Sequence, residues 1–136
     1  MLYLKRIHYA INYIVTPRVN PKEVTAPRKF YAIAKSTGEK TVRQLATEIS
    51  KRTLLGSAEV FASIEAFIDL IPERLSEGKI VRLGDFGSFS LSLSSEGTEK
   101  AEDFTEANIK SNSLNFRPGK LVQKVLDTAE YKKASE

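Results

Sequence analysis

The sequence has no cysteine and only one histidine among its 136 residues. Without cysteine the chain can form no disulfide, no thiolate metal site and no cysteine nucleophile, and this is compatible with a reducing cytoplasm. No apolar run approaches the roughly 20 residues that a membrane-spanning helix needs. The N-terminus mixes apolar and basic side chains and has no small-residue cleavage pattern, so we expect neither a membrane segment nor a secretory signal.

Side chains that could carry catalysis are equally scarce. The single histidine, His8, lies in a first segment, residues 1–9, that we assign to no element. Glu102 and Asp103 are adjacent carboxylates, but they lie in a polar stretch with no acid–base partner in view. Neither a phosphate-binding loop nor a metal-ligand spacing is present. We therefore expect a protein that is not an enzyme and that uses no cofactor, metal or small-molecule substrate.

Positive charge is concentrated at the two ends of the chain. The formal net charge is +4; residues 1–40 carry eight Lys or Arg and two acids, and residues 111–136 carry five and three. Residues 94–110 are acidic, with two basic and five acidic side chains. A polyanion would therefore be attracted to the ends rather than to the middle, although the same charges also fit an ordinary solvated surface.

Residues 1–40 are predicted to form an N-terminal β-strand extension. β-branched and aromatic residues at 10–16 and 29–34 predict two strands, which could pair as a hairpin. The connection between them contains three prolines, which exclude a helix or a central strand. The same connection is basic, through Arg18, Lys22, Arg28 and Lys29.

The second predicted domain, residues 41–136, begins with two helices. Thr41 and Gln44 fit a capping box at the start of the first helix, which we expect to end near Arg52. Ser57 is a good N-cap for the second helix.

The second helix has an unusually wide apolar face. Pro72 should kink it or start its last turn, and Gly78 suits the position just after its end. The face is too wide for one shallow contact, so we expect it to be buried on two sides, with a subunit interface on one of them. The face consists of Phe61 and the residues that we expect in the dimer interface or core, which are Val60, Ile64, Phe67, Ile68 and Ile71.

Two strands are predicted next, at 79–83 and 86–93, joined at Gly84-Asp85 and followed by Phe86-Gly87. Two glycines three residues apart leave the backbone of this turn open to close approach, which favours binding over catalysis. Phe86 and Phe89 beside it are expected in the core or the dimer interface. An acidic loop or short arm, a return strand at about 109–116 and a last helix follow, and Pro118 suits the first position of that helix.

This order of elements resembles the HU/integration host factor family of bacterial histone-like DNA-binding proteins. The resemblance covers about residues 41–128 and is carried by Gly84, Phe86, Gly87 and Phe89 and by Phe116-Arg117-Pro118-Gly119-Lys120-Leu121. From about Asn12 onward the chain also resembles an HU-related variant of Bacteroidetes, in which a Pro-rich loop and a Lys-Phe-Tyr-Ala strand precede the first helix.

The resemblance implies an α+β, HU-like fold in an intertwined homodimer. Each chain would supply two helices, a three-stranded antiparallel sheet with an arm that reaches around the minor groove, and a C-terminal helix, all preceded by the β extension. The implied function is architectural, non-sequence-specific binding of double-stranded DNA in the cytoplasmic nucleoid, with no membrane partner.

The resemblance also implies DNA-binding residues. Lys120 matches the family's lysine at the start of the last helix, and the backbone of Gly84 and Gly87 would lie next to a phosphate. Lys79 and Arg82 should lie on opposite faces of the first strand of the sheet, so at most one of them faces DNA. The full set is Lys120, Arg117, Lys124, Gly84, Gly87, Arg82, Lys79, Lys110, Arg18, Lys22, Arg28 and Lys29; Gln123 replaces a further lysine that is common in HU.

The arm departs from the family pattern. HU arms carry arginines and a tip proline that wedges between base steps, whereas residues 94–110 contain neither residue type. Phe104 is the only large apolar side chain there that could act as a wedge, and we expect it to pack back on the sheet instead. The basic N-terminal loop could replace the arm as a DNA contact. A second hypothesis is therefore an HU-fold dimer that serves as a protein-interaction or structural module, with weak or no DNA binding.

Overall fold

A computed structural model describes residues 9–135, so His8 and the segment before it lie outside the described residues. The protein is a mixed α+β molecule, as predicted, with three helices and six strands in this range. In chain order the elements are β1 (Ile11–Arg18), β2 (Lys29–Ala34), α1 (Val42–Arg52), α2 (Ser57–Ser76), β3 (Val81–Arg82), β4 (Gly87–Ser95), β5 (Ile109–Pro118), α3 (Lys120–Asp127) and β6 (Tyr131–Lys133). Within the described residues, no helix is both long and apolar enough to cross a membrane.

The chain forms two compact units. One combines the described residues up to Glu39 with those from Val125 onward, and the other is Lys40–Lys124. The C-terminal segment, which the sequence pattern grouped with residues from 41 onward, thus lies with the extension.

The first unit is a three-stranded sheet in the order β2-β1-β6. β1 and β2 are antiparallel, with Tyr13 opposite Ala34 and Arg18 opposite Lys29. The assignment of Pro17 and Arg18 to the connecting loop is therefore wrong, because β1 continues to Arg18. Proline is tolerated there because, within the described residues, β6 pairs with β1 only as far as Tyr13, so the end of β1 has a free edge. β6 is parallel to β1, and the amide of Ile11 donates to the carbonyl of Glu130 at 2.8 Å. The sequence pattern did not predict β6, because a three-residue strand has no periodicity of its own and forms only against a remote partner.

The helices of the second unit begin and end at identifiable caps. Thr41 caps α1 as predicted: its hydroxyl accepts from the Gln44 amide, and the Gln44 side chain accepts from the Thr41 amide at 2.9 Å. The prediction of Ser57 as an N-cap is wrong by one residue, because Gly56 is the cap and Ser57 is the first helical residue. Gly78 follows α2 with φ +80°, a conformation that glycine adopts at little cost, as predicted for a helix stop.

The sheet of the second unit is antiparallel in the order β3-β4-β5. β3 contains only Val81 and Arg82, so the strand predicted at 79–83 is shorter and excludes Lys79. β5 extends to Pro118, so the prediction of Pro118 as the first helical residue is wrong. Proline is tolerated there because its missing N–H lies at the end of an edge strand.

Few side chains of this chain are fully buried. The buried hydrophobic residues among those described are Ala46, Val60 and Leu75, which lie on α1 and α2. Three aromatic rings form a second cluster: Phe89 stacks on Phe116 at 4.8 Å between centroids, and Phe86 lies 5.4 Å from Phe116. Much apolar surface therefore stays exposed on the single chain.

Candidate nucleic-acid interface

The β4–β5 hairpin has two chemically different faces. Directly opposite residues on antiparallel strands point to the same face, and successive residues alternate between faces. One face carries Phe89 opposite Phe116 and Leu91 opposite Leu114. The other face is polar and carries the pairs Ser88–Arg117, Ser90–Asn115, Ser92–Ser113 and Ser94–Ser111.

Two arginines flank the base of the polar face. Arg82 on β3 lies opposite Ser88, and Ser88 lies opposite Arg117 on β5, so the three residues form one row across the sheet. We call this the cationic row. Both arginines line a shallow depression of about 230 Å³ and also a neighbouring one of about 470 Å³. Neither guanidinium contacts a carboxylate within the described residues, so both can receive an anion.

The glycine turn closes one side of the smaller depression. Residues Gly84–Phe86 form a 3₁₀ turn, in which the Phe86 amide donates to the Leu83 carbonyl at 3.1 Å. Gly84 has φ +53° and Gly87 has φ +143°, conformations that disfavour other residues. A Cβ on Gly87 would collide with the Arg117 carbonyl, so the turn also needs glycine for its close packing against β5.

The start of α3 adjoins the turn. The amide of Gly119 donates to the carbonyl of Phe86 at 2.9 Å, and the carbonyl of Gly119 accepts from Gln123, which makes Gly119 the N-cap. Lys120 is the first helical residue and Lys124 lies one turn further along. The structure therefore brings together five predicted residues, whose role in DNA binding stays a prediction: Arg82, Gly84, Gly87, Arg117 and Lys120. The acidic side chain of this region is Asp85 in the turn.

Lys79 and Lys110 are not part of the cationic row. The ammonium of Lys79 lies 3.1 Å from a Glu77 carboxylate oxygen. Lys110, at the far end of β5, lies 3.9 Å from Glu96. Both pairs are well exposed and so contribute little to stability, but each reduces the charge that these lysines offer to DNA.

The basic residues of the extension converge in the first unit. Arg18, Arg28 and Lys29 line a depression of about 740 Å³, and Glu23 adds one acid to its lining. We call this the basic depression. Its Arg18 guanidinium lies 5.6 Å from the centroid of the Tyr31 ring, within the range of a cation–π contact. Lys22 is outside this lining.

The tip of the β4–β5 hairpin is ordered and acidic. Residues 96–108 contain five carboxylates and one lysine, and we call them the acidic knob. The knob holds two 3₁₀ turns, at Ala101–Asp103 and Glu106–Asn108, and the second has a capping box between Thr105 and Asn108. The Glu96 amide closes the knob by donating to the Asn108 carbonyl at 2.8 Å. Phe104 is 40% exposed.

The predicted interface residues of α2 differ in burial. Val60 is buried and Ile64 and Ile71 are half-buried, whereas Phe67 and Ile68 are 46% and 44% exposed. On the apolar face of the hairpin, Leu93 and Leu114 are 67% and 57% exposed. Both elements therefore leave large apolar side chains exposed on the single chain.

The polar face of the hairpin was not predicted from the sequence. Serine at 88, 90, 92 and 94 repeats with the period of a strand, and this signal was available in the sequence. Among the described residues, no group of three or more His, Asp or Glu side chains could hold a metal ion.

Comparison with family models identifies one family. The model of a family described as "HU domain fused to wHTH, Ig, or Glycine-rich motif" matches residues 9–133. A search of curated protein sequences gives no match. A crystal structure of a protein from Bacteroides vulgatus ATCC 8482, provisionally described as bacterial and DNA-binding, is similar with a TM-score of 0.60 and 12% identity. The similarity covers 94% of this chain and 49% of that protein, so this chain spans about half its length.

Proposed function

Because this chain belongs to the family of HU domains fused to wHTH, Ig or glycine-rich motifs, we propose that it binds double-stranded DNA through the sugar–phosphate backbone. The observation that carries the proposal is the cationic row, with Lys120 beside it at the start of α3. The sequence preference would be weak, and the role would be architectural, in organisation of the bacterial nucleoid in the cytoplasm.

The chemistry of the cationic row suits phosphate. A guanidinium group presents N–H donors in a planar fork that matches two phosphate oxygens. Arg82 and Arg117 lie on strands two apart in the sheet, roughly 10 Å between backbones, so each can contact a different phosphate. Lys120 adds a charge at the N-terminus of α3, where unpaired amides and the helix dipole also favour an anion.

The neighbouring polar groups support a weak sequence preference. Contacts to phosphate and sugar position a protein on DNA but carry no sequence information directly. Ser88, Ser90 and Asn115 line the larger depression with the two arginines, and their side chains are suited to sugar and phosphate oxygens. Gly84 and Gly87 would let the DNA backbone approach the turn closely.

The remaining basic residues would act as secondary contacts. The basic residues of the extension would add contacts to the DNA backbone; they are Arg18, Lys22, Arg28 and Lys29. Lys124 would extend the contact along α3. Lys79 and Lys110 would contribute less, because each lies close to a glutamate.

The functional unit would be a homodimer. The exposed apolar residues of α2, together with Leu93 and Leu114 of the hairpin, favour burial against a second copy, because a chain with so few buried residues is marginally stable alone. Phe86 and Phe89 would line the same interface or the core beneath it. Two copies would also double the number of phosphate contacts.

A mobility-shift series tests the proposal. Linear, nicked and four-way-junction DNA would be titrated with the chain at several salt concentrations. We expect retardation of all three at low salt, with an affinity that falls linearly on logarithmic axes as salt rises. Absence of retardation for every DNA at low salt would contradict the proposal.

The acidic knob favours a second candidate, an HU-fold module that binds protein instead of DNA. Five carboxylates at the end of the hairpin would be repelled by phosphates. The two candidates predict different results in the mobility-shift series, since a protein-interaction module would retard all three DNAs weakly or not at all.

A further inference from the structure

The acidic knob and the basic depression are complementary in charge and in surface chemistry. The knob presents Glu102, Asp103 and Glu106, which contact no Lys or Arg within the described residues. The depression presents three cationic side chains against one carboxylate. Charges of opposite sign that are not neutralised locally steer two surfaces together and stabilise their contact.

Backbone hydrogen bonds hold the knob in a defined conformation. Its turns are held by hydrogen bonds from Asp103 to Lys100 at 3.2 Å, from Phe104 to Ala101 at 3.2 Å and from Asn108 to Thr105 at 3.0 Å, all between backbone groups. The knob also lies at the end of a hairpin nine to ten residues long on each strand, so it projects beyond β3. An ordered ligand loses little conformational entropy when it binds.

The depression has an ordered loop and a partly apolar lining. Its loop is ordered by hydrogen bonds from the Lys22 amide to the Asn20 side chain at 3.0 Å and from the Ala26 amide to the Glu23 carbonyl at 3.1 Å. Pro21, Pro27 and Tyr31 add apolar surface to the lining. Its volume of about 740 Å³ lies in the range of pockets that enclose a ligand, so it can take an aromatic ring together with neighbouring carboxylates.

We propose that the acidic knob of one copy of this chain docks into the basic depression of another copy. Phe104 would enter the depression against the prolines and Tyr31, while Glu102 and Asp103 would pair with Arg28 and Lys29. The contact joins two different surfaces, so it does not close on itself and links successive copies into chains. It forms between protein copies and does not rest on the proposed DNA binding.

Two neutralised variants test this docking. Glu102→Gln/Asp103→Asn changes the knob, and Arg28→Gln/Lys29→Gln changes the depression. The matched controls remove equal charge elsewhere: Glu65→Gln/Asp69→Asn on α2 and Lys132→Gln/Lys133→Gln on β6. Self-association of each protein would be measured by sedimentation velocity at about 20 mM and about 500 mM salt, which differ severalfold in screening length.

We expect the unmodified chain and both controls to form larger species at low salt than at high salt. Each docking variant alone should need at least a tenfold higher concentration to do so. An equimolar mixture of the two variants should sediment faster than either variant alone, because one supplies an intact knob and the other an intact depression.

Two results would overturn the proposal. One is an unmodified chain whose sedimentation does not depend on salt. The other is a mixture that stays as small as its components while the unmodified chain associates. DNA retardation by the knob variant would be measured in parallel, so that failure of the docking and failure of DNA binding can be told apart.

Discussion

At the residue scale, the glycines of the turn are required for two separate reasons. Gly84 has open space around its Cβ position and needs only its positive φ, whereas Gly87 combines a positive φ with close neighbours that a Cβ would overlap. The sequence predicted a turn open to close approach of a partner. It could not predict that Gly87 packs against Arg117, because that contact joins residues 30 positions apart in the chain.

Gly87→Ala should therefore destabilise the protein. We expect a loss of about 3 kcal/mol in the free energy of unfolding, from backbone strain and from overpacking against β5. Urea denaturation followed by circular dichroism measures it. Gly97→Ala is the matched control, because nothing lies near its Cβ position and its φ is not in the left-handed region; it should change stability by less than about 0.5 kcal/mol. Equal stability of the two variants would contradict this prediction, because it would show that the close packing at Gly87 does not contribute to the free energy of unfolding.

At the element scale, local signals predicted the long elements well. The strand predicted at 29–34 matches β2, and the capping box at Thr41 marks the start of α1. The predictions failed for β6 and for the end of β5, where contacts between residues remote in the chain determine the structure. β6 exists only through its pairing with β1, and β5 extends through Pro118 because β4 continues to pair with it as far as Gly87. The register of strand pairing also determines which basic residues share a surface. The sequence pattern alone does not determine that register.

The apolar face of α2 is also a property of a single element. Its proposed burial against a second copy of the chain can be tested. Phe67→Asp/Ile68→Asp would place two carboxylates in the proposed interface, where an unpaired charge is costly to bury. We expect the double variant to be monomeric at concentrations where the original chain is fully dimeric. Light scattering after size-exclusion chromatography at high salt measures the mass without interference from knob docking.

Val24→Asp is the control for this double variant, since Val24 is exposed in the extension loop and lies outside α2. It should leave the mass unchanged. A monomeric mass for the unmodified chain, or a dimeric mass for the α2 variant with intact secondary structure, would contradict the proposed interface.

At the scale of the whole molecule, charge is separated into distinct surfaces. The cationic row and the acidic knob lie at opposite ends of one hairpin, and the basic depression lies in the other unit. The net charge of +4 conceals this separation. The sequence did reveal basic ends and an acidic middle, but only the pairing of β3, β4 and β5 aligns Arg82 with Arg117. We therefore attribute the proposed DNA binding to a specific row, and not to the general basicity of the chain.

The salt dependence of DNA affinity tests that central claim most directly. Arg82→Ala/Arg117→Ala/Lys120→Ala should weaken binding to linear duplex DNA and reduce the slope of log affinity against log salt by about 1 for each phosphate that the variant no longer neutralises. Lys35→Ala/Lys132→Ala/Lys133→Ala removes the same charge from the first unit and should leave most of the slope intact. Equal slopes for the two variants would contradict this claim, because net charge alone would then explain the binding.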